Sequence, residues 1–273
     1  MIEYTEKQRK FDIALTVILP GILLAFAIFS FAGYSDANFA TSYVGYTQIV
    51  SMIIVAILPI LRVTGKFRAP YWFIAMVTGC LYMHALSLYF CFYQDYDWWS
   101  VCAHTVAGVV VSMIVFTGLA VIQTYTRAVN LGVYPLMFMS FIITIGFGTA
   151  WELMEWGVDR LAGLQWMSYS IFDTTDDLVA DIVGCGITNL GLLYMVKTRK
   201  MEDIVEAINF GKQMRVLGAK WDRKCGMDVE IPEPGEMTSI EFGKWENMPK
   251  EQRFAKVDTD SEWDVSGKPP EKH

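Results

Sequence analysis

The sequence predicts an all-α fold: a polytopic membrane bundle of six transmembrane helices over residues 1–200, with an acidic tail over 201–273. Three features predict it. Six apolar runs have spanning length, charge is concentrated at one end of the chain, and basic residues alternate between connections. Residues 1–200 carry 11 Lys/Arg and 13 Asp/Glu, while the last 73 residues carry 11 and 16. With 53% hydrophobic residues and a net charge of −7, this split excludes an ordinary soluble enzyme, a nucleic-acid binder and a disulfide-stapled secreted domain.

A spanning helix needs about 20 mostly apolar residues. The runs cover roughly 13–34, 46–62, 70–92, 100–124, 131–157 and 174–196. Pro20 and Pro59 lie inside runs, which membrane helices tolerate because neighbours re-satisfy the freed backbone groups. The first run is too long for a signal peptide and lacks a small-x-small cleavage site, so it is read as a retained helix. No run alternates as a β-barrel strand does.

Ten basic residues fall on one side of this topology: Lys7, Arg9, Lys10, Arg62, Lys66, Arg68, Arg127, Lys197, Arg199 and Lys200. Arg160 falls on the other. The positive-inside rule then predicts a cell-membrane protein with both termini in the cytoplasm. Trp98, Trp99, Trp151, Trp156 and Trp166 fall at the outer boundary, where indole rings favour the headgroup region. The five cysteines show no zinc spacing and are expected as free, buried thiols, Cys91 and Cys102 being the pair that could approach each other. In the tail, Met201, Ile204, Val205 and Ile208 predict a short amphipathic helix. Beyond about residue 225 the Pro-, Glu- and Asp-rich composition predicts loose structure; a protein partner docking on this tail belongs to the structural-subunit reading below.

Ionisable groups inside a membrane are expensive, so each calls for a partner or a role. The third run carries His84 and the fourth His104; the fifth ends with Glu152, Glu155 and Asp159, and the sixth opens with Asp173, Asp176, Asp177 and Asp181. Glu152, Glu155 and Asp159 share a helical face, as do Asp173, Asp177 and Asp181; Asp176 lies off that stripe and is expected in solvent. At about 1.5 Å per residue, His84 lies roughly 12 Å below the outer boundary, Asp181 about 10 Å, and His104, Glu152 and Asp177 within about 8 Å. The fourth run holds no Lys or Arg, and the fifth is followed by Arg160 alone. Several carboxylates must therefore be protonated, or cations must neutralise them. Carboxylates with imidazole suit Zn²⁺, Mn²⁺ or Fe²⁺, which makes His104, Glu152, Glu155, Asp173, Asp177 and Asp181 candidate ligands and His84 a candidate acid/base. The blander reading is a set of hydrogen-bonded histidines, solvated glutamates and an N-capping Asp173. Asp181, two turns into an apolar helix, resists it most.

The run FGTAWELMEWGVDRLAG followed by DTTDDLVADIVG resembles the paired motifs of the YjdF-like family of uncharacterised membrane proteins, and more distantly VanZ-like proteins. The resemblance covers about residues 45–196. The family pattern of Trp-Glu-x-x-Glu, then Asp-Thr-x-x-Asp-x-x-x-Asp and a nearby Gly, maps onto Glu152, Glu155, Asp173, Thr174, Asp177, Asp181 and Gly184. An upstream His and an Asp-x-x-x-His-x-x-x-Gly segment map onto His84, His104 and Gly108. Ser100 stands where the pattern has Asp, with Asp95 and Asp97 nearby. The resemblance implies a multi-pass membrane protein and supplies no activity.

Three functions are compatible with this sequence. One is a metal-assisted hydrolase or transferase facing the outer leaflet and acting on a lipid or lipid-linked substrate, with Glu152, Glu155, His104, Asp177 and Asp181 as ligands. The second is a proton- or cation-coupled transporter using the same groups as a relay. The third is a structural subunit of a membrane complex.

Overall fold

The computed structural model describes residues 6–36, 41–64, 70–126, 131, 133–163, 170–198 and 211–226. Among these there are helices and no strand: α1 (Glu6–Phe31), α2 (Thr41–Val63), α3 (Tyr71–Tyr89), α4 (Phe92–Asp95), α5 (Asp97–Tyr125), α6 (Val133–Ala162), α7 (Ile171–Thr198) and α8 (Gly211–Lys224). Six of them, α1–α3 and α5–α7, are long and apolar enough to cross a membrane.

The distribution of side chains is that of a membrane protein. Large apolar residues point outward, among them Phe138 at 66% exposed and Leu190 at 69%. Small and hydroxyl-bearing residues are inside: Ser87, Ser112 and Ser140 are fully buried. Lipid gives no hydrophobic reward for burying Leu or Phe, so interfaces use small residues and interhelical hydrogen bonds instead. Gln48 on α2 donates to the Ala85 carbonyl on α3 at 2.6 Å, Ser140 on α6 to Ser112 on α5 at 3.0 Å, and Thr188 on α7 to Val109 on α5 at 3.0 Å.

The helices form two groups. The hairpin α1–α2 packs along its length, α5, α6 and α7 pack on one another, and α3 bridges α2 and α5. In the three-helix group, Phe116, Ala120, Leu136 and Leu192 make a buried apolar cluster; Leu23, Val55 and Ala85 join the hairpin to α3.

The turn after α1 is a Schellman cap: Tyr34 N donates to Phe29 O and Gly33 N to Ser30 O, both at 2.9 Å, with Gly33 at φ 81°. The Tyr34 and Phe29 rings meet edge to face across it, the apolar contact such caps carry. Between α3 and α4 the chain turns through Cys91, whose φ of 56° is left-handed for a residue with a side chain.

Several helix bounds differ from the apolar runs. α1 starts at Glu6 and so includes Asp12, which is fully buried. Its carboxylate meets Arg62 Nε at 3.1 and 3.2 Å, and the Arg62 guanidinium lies 4.2 Å from the Tyr71 ring centroid. The buried pair lets α1 run past its apolar stretch. Arg62, read from sequence as a loop charge, is a buried helix residue; removing it from the basic tally leaves the bias intact. Pro70 N-caps α3, and the third run ends early because Phe90 and Cys91 turn into α4.

α8 packs on α5, burying Ala219 and Asp222 and exposing Leu217 and Trp221. It was not expected from the sequence; the predicted amphipathic stretch 201–210 lies outside the described residues, as do Trp166 and everything beyond 226. The five cysteines are free, but Cys102 and Cys225 are exposed, contrary to the expectation of burial.

Candidate metal centre

The ionisable residues gather where α5, α6 and α7 converge. By connectivity, α5 begins at the opposite end of the bundle from Arg62 and Tyr71, because α3 crosses between them over about 28 Å at 1.5 Å per residue. His104 lies two turns into α5, Glu152 in the late part of α6, and Asp177 and Asp181 on successive turns of α7.

His104 is the hub. Its Nε2 lies 3.6 Å from Glu152 Oε1 and 3.7 Å from Asp177 Oδ2, and its Nδ1 faces Asp181 Oδ1 at 3.4 Å. All four side chains are at most 12% exposed. One ligand atom each from His104, Glu152 and Asp177 lie within 4.8 Å of one another. Glu152 Oε1, Asp177 Oδ1 and Asp181 Oδ2 are buried and lack a hydrogen-bond partner. A buried carboxylate oxygen without a donor is costly, so three in one place need an additional positive group or protons.

The backbone makes room for this cluster through glycine. A Cβ at Gly148 on α6 would fall 2.1 Å from Asp181 Oδ2, one at Gly108 on α5 would fall 2.7 Å from the Asp181 carbonyl oxygen, and one at Gly184 on α7 would fall 2.2 Å from the Thr105 carbonyl oxygen. α5 and α7 thus approach at backbone distance at Gly108 and Gly184, while Gly148 on α6 makes room for the Asp181 carboxylate, as in other small-residue membrane contacts.

The surrounding residues orient the acids. Ser100 donates to Asp177 Oδ2 at 2.9 Å, so the hydroxyl at the position where the family pattern has Asp supports a cluster carboxylate. Thr174 is a hydrogen-bond partner of Glu152. Trp151 Nε1 donates to Glu155 Oε1 at 2.8 Å, which ties Glu155 to its own helix rather than to His104. Ser170 accepts from the Asp173 amide at 3.2 Å; α7 begins earlier than its apolar run, so Ser170 is the capping residue and Asp173 sits within the first turn. Asp176 is exposed, as the stripe predicted. Asp159 is buried at the end of α6.

His84 stands beside this group. Its Nδ1 is 3.1 Å from the Tyr93 hydroxyl and its ring meets Trp151 edge to face at 5.4 Å. Burial, with Glu155 adding to it, pushes the Tyr93 phenol above its ordinary value, so that it remains a neutral partner for His84. Asp95 is exposed at the end of α4, and the side chain of Asp97 lies outside the described residues. Trp99, expected as a headgroup anchor, donates to Ser87 at 2.6 Å, while Trp98 and Trp156 are well exposed.

Sequence reasoning missed Asp12 with Arg62, Tyr93 beside His84, and Gly148. Asp12 was legible only as a lone acid just before an apolar run, and Gly148 only as a small residue one turn before Glu152.

These features define a class: a polytopic α-helical membrane protein with an intramembrane His/carboxylate cluster at one end of its bundle. The chain belongs to the family described as "Predicted membrane protein (DUF2238)", whose model matches residues 14–199. This is the YjdF-like family, and the match extends beyond the motifs to the first helix. The more distant likeness to VanZ-like proteins gains no support from it. No curated protein and no solved structure matches.

Proposed function

We propose that this protein holds a divalent metal between His104, Glu152 and Asp177 and uses it for hydrolysis or group transfer on a lipid or lipid-linked substrate. The observation that carries the reading is the convergence of three ligand atoms from three helices within 4.8 Å, beside buried carboxylate oxygens that have no donor. Imidazole with two carboxylates is a donor set for Zn²⁺, Mn²⁺ or Fe²⁺. A metal so held would lower the pKa of bound water and polarise a phosphoryl or acyl oxygen. Glu155 and His84 flank the site as candidates for proton transfer. The exposed Trp98 and Trp156 near the same end favour a substrate that arrives from the headgroup layer.

The basic-residue bias supports placing both termini in the cytoplasm and the cluster toward the outer leaflet of the cell membrane. A cation-coupled transporter is the weaker reading. Among the described residues, Thr144, Ser140 and Thr188 donate to the backbone carbonyls of Ser140, Ser112 and Val109 rather than to side chains leading out of the cluster.

Elemental analysis of detergent-purified protein from metal-replete cells tests the proposal. Wild type should carry about one equivalent of a divalent transition metal, and Glu152→Gln and Asp177→Asn should lose it. A wild-type protein without metal, or variants that keep it, would refute the site.

A further inference from the structure

We propose that Asp181 is a positioning residue rather than a metal ligand: it holds the Nδ1 edge of His104 so that Nε2 is presented to Glu152 and Asp177. This deepens the metal reading above and rests on it. The two ring nitrogens of His104 face different partners. Nε2 looks toward the two carboxylates of the ligand group, at 3.6 and 3.7 Å, and Nδ1 looks toward Asp181 alone, at 3.4 Å. An imidazole binds a metal through one nitrogen only when the other keeps its proton, and the partner of that proton fixes tautomer and ring angle. Asp181 falls outside the convergent trio of His104, Glu152 and Asp177 although it is only one turn from Asp177. Its depth matches this division, since its carboxylate lies deeper along α7.

The seat of the Asp181 carboxylate is built by another helix. Gly148 on α6 leaves the space that Asp181 Oδ2 occupies, and a Cβ there would lie 2.1 Å from that oxygen. Gly108 on α5 does the same for the Asp181 backbone, at 2.7 Å from its carbonyl oxygen. Gly146, two residues earlier on α6, has open space around its Cβ position. The cradle at Gly148 is therefore local, and it allows Asp181 to be displaced without changing any polar group.

The experiment is a Co²⁺ titration of the full chain in detergent, read by visible absorption. Wild type is compared with Asp181→Ala, Asp181→Asn, Gly148→Ala, Gly146→Ala and Glu152→Gln. Loss of an outer partner of a metal-bound histidine lowers affinity roughly 10–100-fold. Asp181→Ala and Gly148→Ala should weaken binding by that factor while one equivalent still binds at saturation. Asp181→Asn, whose amide oxygen can still accept the Nδ1 proton, should fall between. Gly146→Ala should match wild type, and Glu152→Gln should lose the equivalent. Wild-type affinity in Asp181→Ala overturns the proposal, and so does complete loss of the equivalent, which would make Asp181 a ligand.

A second readout does not need metal. In ¹⁵N-histidine spectra of metal-free protein, at a pH where the His104 ring is neutral, wild type should carry its proton on Nδ1 and Asp181→Ala should shift it to Nε2. A wild-type ring protonated on Nε2 overturns the positioning role. If Co²⁺ does not bind wild type, the metal reading fails, and the tautomer alone decides the role of Asp181.

Discussion

Replacing Arg62 with Met should be among the most damaging single changes away from the cluster. Asp12 is fully buried and Arg62 is 7% exposed, with Nε 3.1 Å from the nearer carboxylate oxygen. At that separation and an effective dielectric constant of about 20, the attraction is roughly 5 kcal/mol. The pair's net contribution is much smaller, because both charges left water when they were buried. Met removes the attraction and leaves the carboxylate where it is, so the cost should approach about 3–5 kcal/mol. Loss of the cation over Tyr71 adds about 0.5–2 kcal/mol. On the scale of soluble domains of this size, 3–5 kcal/mol corresponds to a Tm lower by roughly 6–20 °C. The assay is thermal unfolding of the full chain in mild detergent. Asp12→Leu alone should be similarly harmful through stranded Arg62, and Asp12→Leu combined with Arg62→Met should recover most of the loss. A fall of less than about 1 kcal/mol for Arg62→Met would refute the reasoning, as would a double variant as unstable as the two singles summed.

Other outcomes can be checked with less effort. Gly184→Ala should lower Tm by an amount equivalent to about 1–3 kcal/mol, since its Cβ would meet the Thr105 carbonyl at 2.2 Å, whereas Gly186→Ala has open space and should be silent in the same melt. Single cysteines at Asn38, Tyr96 and Gly163, in a cysteine-free background, should react with an impermeant maleimide from outside the cell; labelling at Lys66 instead would invert the orientation. Deleting 227–273 should leave Tm within a few degrees, while deletion from Gly211 should lower it further, because α8 buries Ala219 and Asp222 against the body. A large loss from the shorter deletion would show that the acidic tail packs as a domain.

The spanning helices were legible because lipid demands about 20 apolar residues in a row, and that demand is written locally. Their ends were not. α1 continues through Asp12, which Arg62 on another helix neutralises, and no local pattern records a partner 50 residues away. The site shows the same division. Glu152, Asp177, Asp181 and His104 stood out because each is ionisable in apolar surroundings. What separates Asp177 from Asp181 is interhelical register: they sit one turn apart on one stripe, yet they face different nitrogens of the same ring. Ser100 looked like a departure from a pattern until the fold placed its hydroxyl on Asp177. α8 escaped notice because its polar sequence resembles the tail around it; among its described side chains Ala219 and Asp222 are buried while Leu217 and Trp221 are exposed.

The buried Asp12–Arg62 pair also has a history within the life of each molecule. Its members are 50 residues apart in the chain, and ribosomes add roughly 5–20 residues per second. For roughly 3–10 s after Asp12 is made, its counter-ion does not exist. During that interval α1 can enter the bilayer with its acidic end left in the headgroup layer or with Asp12 protonated. Synthesis of α2 then supplies Arg62, so charge neutralisation as well as packing favours closure of the hairpin. A nascent chain stalled between the two helices displays a lone carboxylate at the membrane edge. That is a chemical difference between a finished hairpin and an unfinished one.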